Sequence, residues 1–573
     1  MNGTITIQET RFLRGPNLYA STPCVMALLE IDMEPARAVE AACLVQRTVR
    51  ELQEMAGVPA PYGCVKRLMD DARSFRVVCG FEVEEVAERA LLLAVDFVEA
   101  QMRGSLFSVA DRLVELHAAA VRQVSASASI LMDEAKRRDI PVLELDDHVI
   151  QFGWGAQQTR ISSSATHGAL PEGDGRIPVI AITGTNGKTT TTLLVAHTVR
   201  LAGHTTGYTT TEGVFIDGCP VARGDCTGYW SARDILTAPN VEFAVLETAR
   251  GGILKRGLAY DKCDVSVVLN VSADHLGLEG VETVEDLARV KGVVGCSAGK
   301  AAVLNAEDRH CVAMAAQLQP GVEVIYFSMD AENPVLLRHL EQGGRAVYLH
   351  DQSMVIADGQ RHEELLRVEH MPVTMNGRAR YNVANCLAAT AALMAAGIAR
   401  TDIAHGLTSF VSDGRSNPLR GNVFDVRGVT VIVDYAHNAA AYAALAGMAR
   451  AMTRGKLVGI VTAPGDRRDS DLEEIGATCA ERFDDIVVYE SQSRGRTMGG
   501  TVEIIVRGAH AAPRLLARVH EEWVDIDAIR RGLDLCEPGD VLVFACGTSL
   551  ATLVEALRVP DPIAAARIEA EIG

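Results

Sequence analysis

"ITGTNGKTTTT" (Ile182–Thr192) decides how this chain is read. The β-branched run "IPVIAIT" leads into it, and "KTTTTLLVAHTVRLAG", apolar at helical period, leads out. The turn therefore joins a strand to a helix. An anion-binding loop needs that context: backbone N–H groups converge at the helix N-terminus, glycines allow close approach, and a lysine reaches the outer oxygens. Gly184, Thr185, Asn186, Gly187, Lys188, Thr189 and Thr190 are the candidate nucleotide-contacting residues, with the Thr189 hydroxyl on Mg²⁺. The loop is shorter than G-x-x-x-x-G-K-[ST], because Ile182 stands where the first glycine would fall. A glycine-rich turn without a ligand is the plain alternative; the lysine and threonines favour nucleotide.

Outward from the turn, "VEFAVLE", "DVSVVLN" and "KAAVLN" repeat the strand pattern between helical stretches, the alternation of a mostly parallel α/β sheet. The stretch Gly344–Val368, most of it "VYLHDQSMVIADGQRHEELLRV", reads as hairpins. A second α/β alternation follows in "VTVIVDYAH", "KLVGIVTA", "DDIVVYE" and "DVLVFAC". Before the turn, "EPARAVEAACLVQRTVRELQEMAG" and "EVEEVAERALLLAVDFVEAQ" have helical period, and "IPVLELD" and "HVIQFGWG" are strand candidates. At 573 residues the chain exceeds one hydrophobic core. The expected division is a small α/β N-terminal domain (1–166), a polar linker (167–176), a central ATP-binding domain (177–415) and a C-terminal α/β domain (416–573).

A net charge of -19 and the lack of a basic stripe argue against nucleic acid as a partner, and so against a P-loop ATPase working on it. No apolar run approaches membrane-spanning length and "MNGTITIQETRFLRG" lacks a signal pattern, so no membrane and a cytoplasmic location are expected. The 13 cysteines, scattered from Cys24 to Cys546 without a C-x-x-C pair, read as reduced, mostly buried thiols.

Phosphate binding alone is not chemistry. Glu247 ends "VEFAVLE", where an acid would hold Mg²⁺, and Asp274 and His275 end "LNVSADH". Carboxyl ends of strands line the ligand crevice in such sheets, so these residues and the loop point to one metal–nucleotide site.

The ordered motifs "TGTNGKTT", "LETARGG", "NVSADHLG", "LARVKGVV", "VLNAED", "YNVANCLAA", "RGNVF", "DYAHN" and "APGDRRD" resemble the Mur ligase superfamily of ATP-dependent amide ligases. Within it, "GYTTTEGVFIDG", "ETARGGILKRGL" and "CDVSVVLNVSADHLGLEGVETVEDLARVK" resemble the Mur-like half of the cyanophycin synthetase family. "LRGPN" (Leu13–Asn17) and "IQFGWGAQQTRISSSAT" (Ile150–Thr166) look like the start and end of that family's N-terminal domain, a substrate-holding module. The ATP-grasp domain that separates these parts in the family is missing here, which implies one ligation and no polymer backbone extension.

The resemblance implies an acyl-phosphate route to an amide, with a central P-loop domain and a Rossmann-like C-terminal domain. It places Lys188 on the β- and γ-phosphates, Thr189 and Glu247 on a first Mg²⁺, and His275 on a second. Lys291 aligns with a lysine that many members carbamylate with CO₂; an exposed helix lysine is the alternative. Asn382 and Asn385 match adenine contacts, helix capping being the alternative. Arg420 matches a phosphate contact and Asp434 a ribose contact, and "DYAHN" is followed by Ala439 where the family has proline. Arg233 and Arg250 are candidates for substrate carboxylates, or else surface arginines. Glu490 and Arg494 in "YESQSRGR" fall where relatives read the incoming amino acid. Ser491 and Gln492 stand where the cyanophycin pattern has a further acid, which weakens arginine as the amine.

The expected function is an ATP-dependent ligase joining an amino acid, arginine or another cationic one favoured, to an aspartyl-type or peptide carboxylate. A homodimer or tetramer is implied. The competing reading is a regulatory module that binds ATP and a cyanophycin-like peptide.

Overall fold

The computed structural model describes residues 4–68, 71, 73–121, 124–146, 148–545 and 549–572. It groups into two compact units, Met1–Val179 with Thr205–Asp264, and Ile180–His204 with Val265–Gly573.

The first unit begins with β1 (Ile5–Leu13), β2 (Cys24–Ile31), β3 (Gly63–Arg67) and β4 (Ser74–Gly80), an antiparallel sheet of order β1-β2-β4-β3. Helix Pro35–Met55 starts with proline in its first turn and with the Glu34 carboxylate accepting from the Ala36 and Arg37 amides, which satisfies orphan donors there. Its buried stripe of Ala38, Ala41, Ala42, Val45, Val49 and Leu52 joins one core with helix Glu84–Met102 and the sheet. A small antiparallel sheet follows, β5 (Val142–Asp146), β6 (Val149–Phe152) and β7 (Thr159–Ser162).

After β8 (Val179–Thr183), the same unit holds β9 (Thr206–Thr210), β10 (Gly213–Ile216), β11 (Cys219–Arg223) and β12 (Phe243–Glu247). β9 is parallel to β12, and β10 and β11 add as an antiparallel meander. "LRGPN" docks on the segment after helix Arg250–Arg256: the Arg14 amide donates to Arg256 O at 2.8 Å and the Leu258 amide to Pro16 O at 2.9 Å. A Cβ on Gly15 would lie 2.1 Å from Leu258 O, so only glycine permits this approach.

In the second unit β8 pairs in parallel with β13 (Cys263–Val268), and β14 (Ala298–Asn305), β15 (Glu323–Ser328) and β16 (Arg345–His350) continue the parallel run. β17 (Ser353–Asp358) and β18 (Arg361–Arg367) are the expected hairpins. A six-stranded sheet completes it: β19 (Asn422–Val426), β20 (Val429–Asp434), β21 (Leu457–Val461), β22 (Asp485–Val488), β23 (Arg518–Glu521) and β24 (Val541–Ala545), in order β19-β20-β24-β21-β22-β23. All but β19 run parallel. The architecture is the expected mixed α/β one. The 12 described cysteines are free thiols, 7 of them buried; Cys546 lies outside the described residues. No helix among the described residues is long and apolar enough to cross a membrane.

Helices Asp469–Ala480 and Gly500–His510 pack backbone to backbone. A Cβ on Gly476 would meet Ile505 O at 1.9 Å, and one on Gly508 would meet Glu473 O at 2.2 Å. Gly447, within helix Ala439–Arg450, has nothing within 4 Å of that position. Gly508→Ala should therefore destabilise the chain by about 1–3 kcal/mol through overpacking. Gly447→Ala should leave stability unchanged or raise it by roughly 0.5–1 kcal/mol through helix propensity. Urea unfolding midpoints of the two variants check this pair.

Candidate functional site

The nucleotide turn lies in the second unit, between β8 and helix Lys188–Leu201. Gly187 caps the helix at φ +88, a left-handed value that glycine adopts without steric cost. Its missing side chain matters too, since a Cβ there would sit 2.3 Å from Asn385 Oδ1. The turn is pinned by amides. Asn270 Oδ1 accepts from the Asn186 amide at 2.9 Å, and Asn270 Nδ2 donates to Asn186 O at 3.1 Å. Thr185 Oγ1 donates to Ser272 O and accepts from the Ser272 amide, at 3.2 and 3.0 Å. Lys188 Nζ folds back onto Thr185 O at 2.9 Å.

Residues beyond 416 reach the same turn. Asn438 and Asn186 exchange side-chain amide hydrogen bonds of 3.1 and 3.3 Å. Asn438 Oδ1 also caps helix Ala439–Arg450 through the Ala441 amide. Ala at position 439 thus opens a capped helix, where proline's preset φ would serve equally. Asn417 Nδ2 donates to Thr190 Oγ1 at 3.3 Å and Arg420 Nη2 to Thr189 Oγ1 at 3.4 Å. The Arg420 guanidinium stands 4.9 Å over the Tyr435 ring. Asp434 ends β20; burial raises its carboxyl, while Arg420 and the Gly421 and Ala436 amides work against that rise.

Asn382 and Asn385 lie inside helix Arg380–Ala395, whose N-cap is Ala379, so neither is a cap. Asn385 Nδ2 donates to Asn382 Oδ1 at 3.1 Å and Asn382 Nδ2 to Val373 O at 2.9 Å. Lys291, on helix Val284–Gly295, is 3% exposed, which excludes the exposed-lysine alternative.

His275 adopts φ +53 immediately after Asp274. Asp274, His275 and His437 each aim one ligating atom into a space where all three lie within 4.8 Å of one another. His437 Nδ1 contacts Tyr435 O at 2.8 Å. A carbonyl only accepts, so Nδ1 carries the proton and Nε2 faces Asp274 Oδ2 at 3.6 Å. That arrangement calls for a cation or a proton between them. One carboxylate and two imidazoles suit a divalent transition-metal ion such as Mn²⁺ or Zn²⁺, and the Tyr435 carbonyl fixes the His437 tautomer as such sites require. Arg467, 4% exposed, donates from Nη2 to His275 Nε2 at 2.9 Å and places Nε 3.5 Å from Asp274 Oδ1. Burial raises the Asp274 carboxyl, but His437, His275 and Arg467 together hold it far below the ordinary carboxylate range. His437 and Arg467 are site residues that the sequence reading misses, although both stand in the quoted motifs "DYAHN" and "APGDRRD".

Glu490 Oε2 accepts from the Gly499 amide at 3.2 Å, while Oε1 is buried without a hydrogen-bond partner among the described residues. Arg494 is exposed and donates to Asp466 Oδ2 at 2.9 Å. In the first unit, Glu247 ends β12 and is 2% exposed, Arg250 heads helix Arg250–Arg256, and Arg233 Nη2 donates to Glu144 O.

Residues 182–393 match the Mur ligase middle domain and residues 418–547 the Mur ligase glutamate ligase domain. Cyanophycin synthetase of Nostoc sp. is 41% identical over 392 residues, covering 68% of this chain and 43% of the relative. That of Synechocystis sp. is 42% identical over 396 residues, covering 68% and 44%. The chain thus spans less than half the length of these relatives. A solved bifunctional folylpolyglutamate synthase/dihydrofolate synthase with Mn, AMPPNP and L-glutamate bound superimposes with a TM-score of 0.50 at 20% identity, over 67% of this chain and 90% of that one. This likeness is one of fold.

Gly187→Ala should weaken nucleotide binding at least about tenfold, since strain at positive φ and the contact with Asn385 both disturb the turn. Titration with AMPPNP, beside circular dichroism of the folded variant, checks it. Asp274 has a folded pKa below its unfolded one, so its stabilisation is complete above the unfolded value and is lost as pH falls through and below it. Asp274→Asn should accordingly flatten the decline of the urea midpoint below about pH 5, measured against wild type.

Proposed function

The chain belongs to the Mur ligase family through its middle and glutamate ligase domains, and from that premise we propose that it is an ATP-dependent carboxylate–amine ligase. The observation that carries this reading is the convergence on one turn of Thr189, Thr190 and Asn186 with Asn417, Arg420 and Asn438. Such a cradle suits a triphosphate: a glycine-bounded helix N-terminus, a lysine beside it, and an arginine arriving from the segment beyond 416.

In this reading the acceptor carboxylate attacks the γ-phosphorus of ATP, the bond to the β-phosphate oxygen breaks, and ADP leaves. An amine then attacks the acyl phosphate, the C–O bond breaks, and amide and phosphate result. Lys188 and Arg420 neutralise the charge that develops on the transferred phosphoryl group. The buried Asn382–Asn385 pair offers the base amide donors and acceptors, and Asp434 offers the ribose an acceptor. A divalent ion held by Thr189, with His275 serving a second, would supply Lewis-acid polarisation of phosphate oxygens, and Glu247 is proposed separately as a metal-binding acid of the first unit. Arg467 occupies the His275 Nε2 lone pair in the arrangement described, so it must turn aside before that nitrogen ligates. A carbamate on buried Lys291 would replace a cation by an anion next to such an ion.

Glu490, with one buried oxygen lacking a partner, is assigned to the cationic group of the incoming amino acid. Arg233 and Arg250 are assigned to carboxylates. The finer reading remains a cationic amino acid added to an aspartyl-type or peptide acceptor, by a cytoplasmic homo-oligomer.

Purified chain would be mixed with ATP, Mg²⁺, bicarbonate, amino acids and carboxylate acceptors that include β-aspartyl peptides. The expected outcome is ADP formation dependent on both substrates and a product heavier than its acceptor by one amino-acid residue. Lys188→Ala should lower the rate at least about a hundredfold, as loss of a phosphate-clamping charge does. ATP binding without substrate-dependent ADP for every pair would sink the ligase in favour of a regulatory module.

A further inference from the structure

Two loops of the second unit lie against each other after β21 and β22: "APGDRRD" (Ala463–Asp469) and "SQSRGR" (Ser491–Arg496). Backbone groups lock them together. The Gly465 amide donates to Gln492 O at 2.8 Å, and a Cβ on Gly465 would lie 2.1 Å from Ser493 O. Arg496 donates from Nε to Gly465 O and from Nη2 to Arg467 O, both at 2.6 Å, and pairs with Asp469 at 2.7 Å. With the main chains fixed in this way, rearrangement between the loops is left to side chains.

A line of charges crosses from one loop to the other. Arg494, its side chain 42% exposed, donates from Nη1 to Asp466 Oδ2 at 2.9 Å. The other oxygen of Asp466 accepts from Arg467 Nη1 at 2.7 Å. Arg467, its side chain 3% exposed, gives its remaining terminal nitrogen to His275 Nε2 at 2.9 Å. One carboxylate thus serves two guanidinium groups, one oxygen each, and the buried member of the pair sits on a candidate cation ligand.

Both arginines are held imperfectly. Arg494 adopts φ +41, a left-handed value that strains a residue with a side chain. Arg467 Nε and Asp274 Oδ1 stand 3.5 Å apart, and each is buried without a hydrogen-bond partner among the described residues. A buried donor left unpaired is costly, so Asp274 holds Arg467 by charge alone. Asp466 has a single negative charge to divide. Withdrawing Arg494 leaves both of its oxygens to Arg467, and a guanidinium that turns to pair with both draws its second terminal nitrogen off His275.

We propose that Asp466 and Arg494 are positioning residues for the cation site: they set where Arg467 stands, and thereby whether His275 Nε2 is open to a divalent ion. Arg494 on Asp466 keeps Arg467 on His275; Arg494 withdrawn lets Asp466 draw Arg467 off. The inference rests on the reading of His275 as a ligand. Arg494 stands on the loop expected to read the incoming amino acid, so the relay joins that loop to the cation site without a backbone movement.

The test is a Mn²⁺ titration of the full chain without nucleotide, free Mn²⁺ being read by electron paramagnetic resonance. Arg494→Gln should bind Mn²⁺ at least about fivefold more tightly than wild type. Arg494→Lys, which keeps a cation on Asp466, should stay at wild-type affinity. Arg494 is exposed and its replacement leaves the backbone lock intact, which matched urea midpoints check. Removing a positive charge also favours Mn²⁺ through space, so the decisive comparison is made in an Asp466→Asn background. There Arg494→Gln should have no effect, because Asp466 carries the coupling. A gain that survives in that background, or no gain in the chain that retains Asp466, overturns the relay. His275→Ala should weaken Mn²⁺ at least about tenfold. Unchanged affinity there overturns the cation reading of His275 itself, whereas weakened affinity beside an unresponsive Arg494→Gln overturns the relay alone.

Discussion

The positive-φ turn at Gly187 is the constraint on which the second unit's site depends. It aims the first amides of helix Lys188–Leu201 at one point, and it exists only because no side chain stands between it and Asn385. Four asparagines surround it. Asn270 holds the turn from the β13 side, Asn438 from the segment after β20, and Asn385 and Asn382 from the helix that follows the hairpins. Amide networks in a poorly solvated setting are worth most when every member is satisfied and cost most when one is not. The turn, the two sheets of this unit and the helix between them are thereby tied to one geometry.

A second network sits beside the first and is ionic. Asp274 lies among His275, His437 and Arg467, contributed by segments far apart in sequence. A buried carboxylate alone would take up a proton; here three basic groups keep it ionised. The same cluster can hold a proton, a guanidinium or a metal ion in the space between its members. The competition between Arg467 and a divalent ion for one nitrogen of His275 is the simplest reason for such redundancy.

In the first unit, "LRGPN" and the segment after helix Arg250–Arg256 are joined by backbone hydrogen bonds. Glycines 15 and 257 let two loops approach within hydrogen-bond distance, and the arginines beside them are brought to Trp230 as a consequence. Local pattern could signal such glycines only as turns, because the partner backbone each one accommodates lies more than two hundred residues away.

Wherever information is local, the sequence alone determined the outcome. Strand–turn–helix at Ile182–Thr192, the hairpins of Gly344–Val368 and both α/β alternations follow from period and composition, and the structure has them. β10 and β11 are not legible in the same way, because each is only four or five residues long, β11 contains a proline, and β11 is exposed along its whole length. Lys291 is undecidable from pattern, since it follows buried Val290 on a helix whose stripe also includes Leu287 and Val294, and one position of rotation separates core from solvent. What only the tertiary structure decided is which polar groups meet. His437 and Arg467 reach Asp274 and His275 across long separations, and Arg14 reaches Trp230. No spacing rule spans such distances; burial of the sheets between them brings these charges together, and desolvation then makes each one depend on its new neighbours.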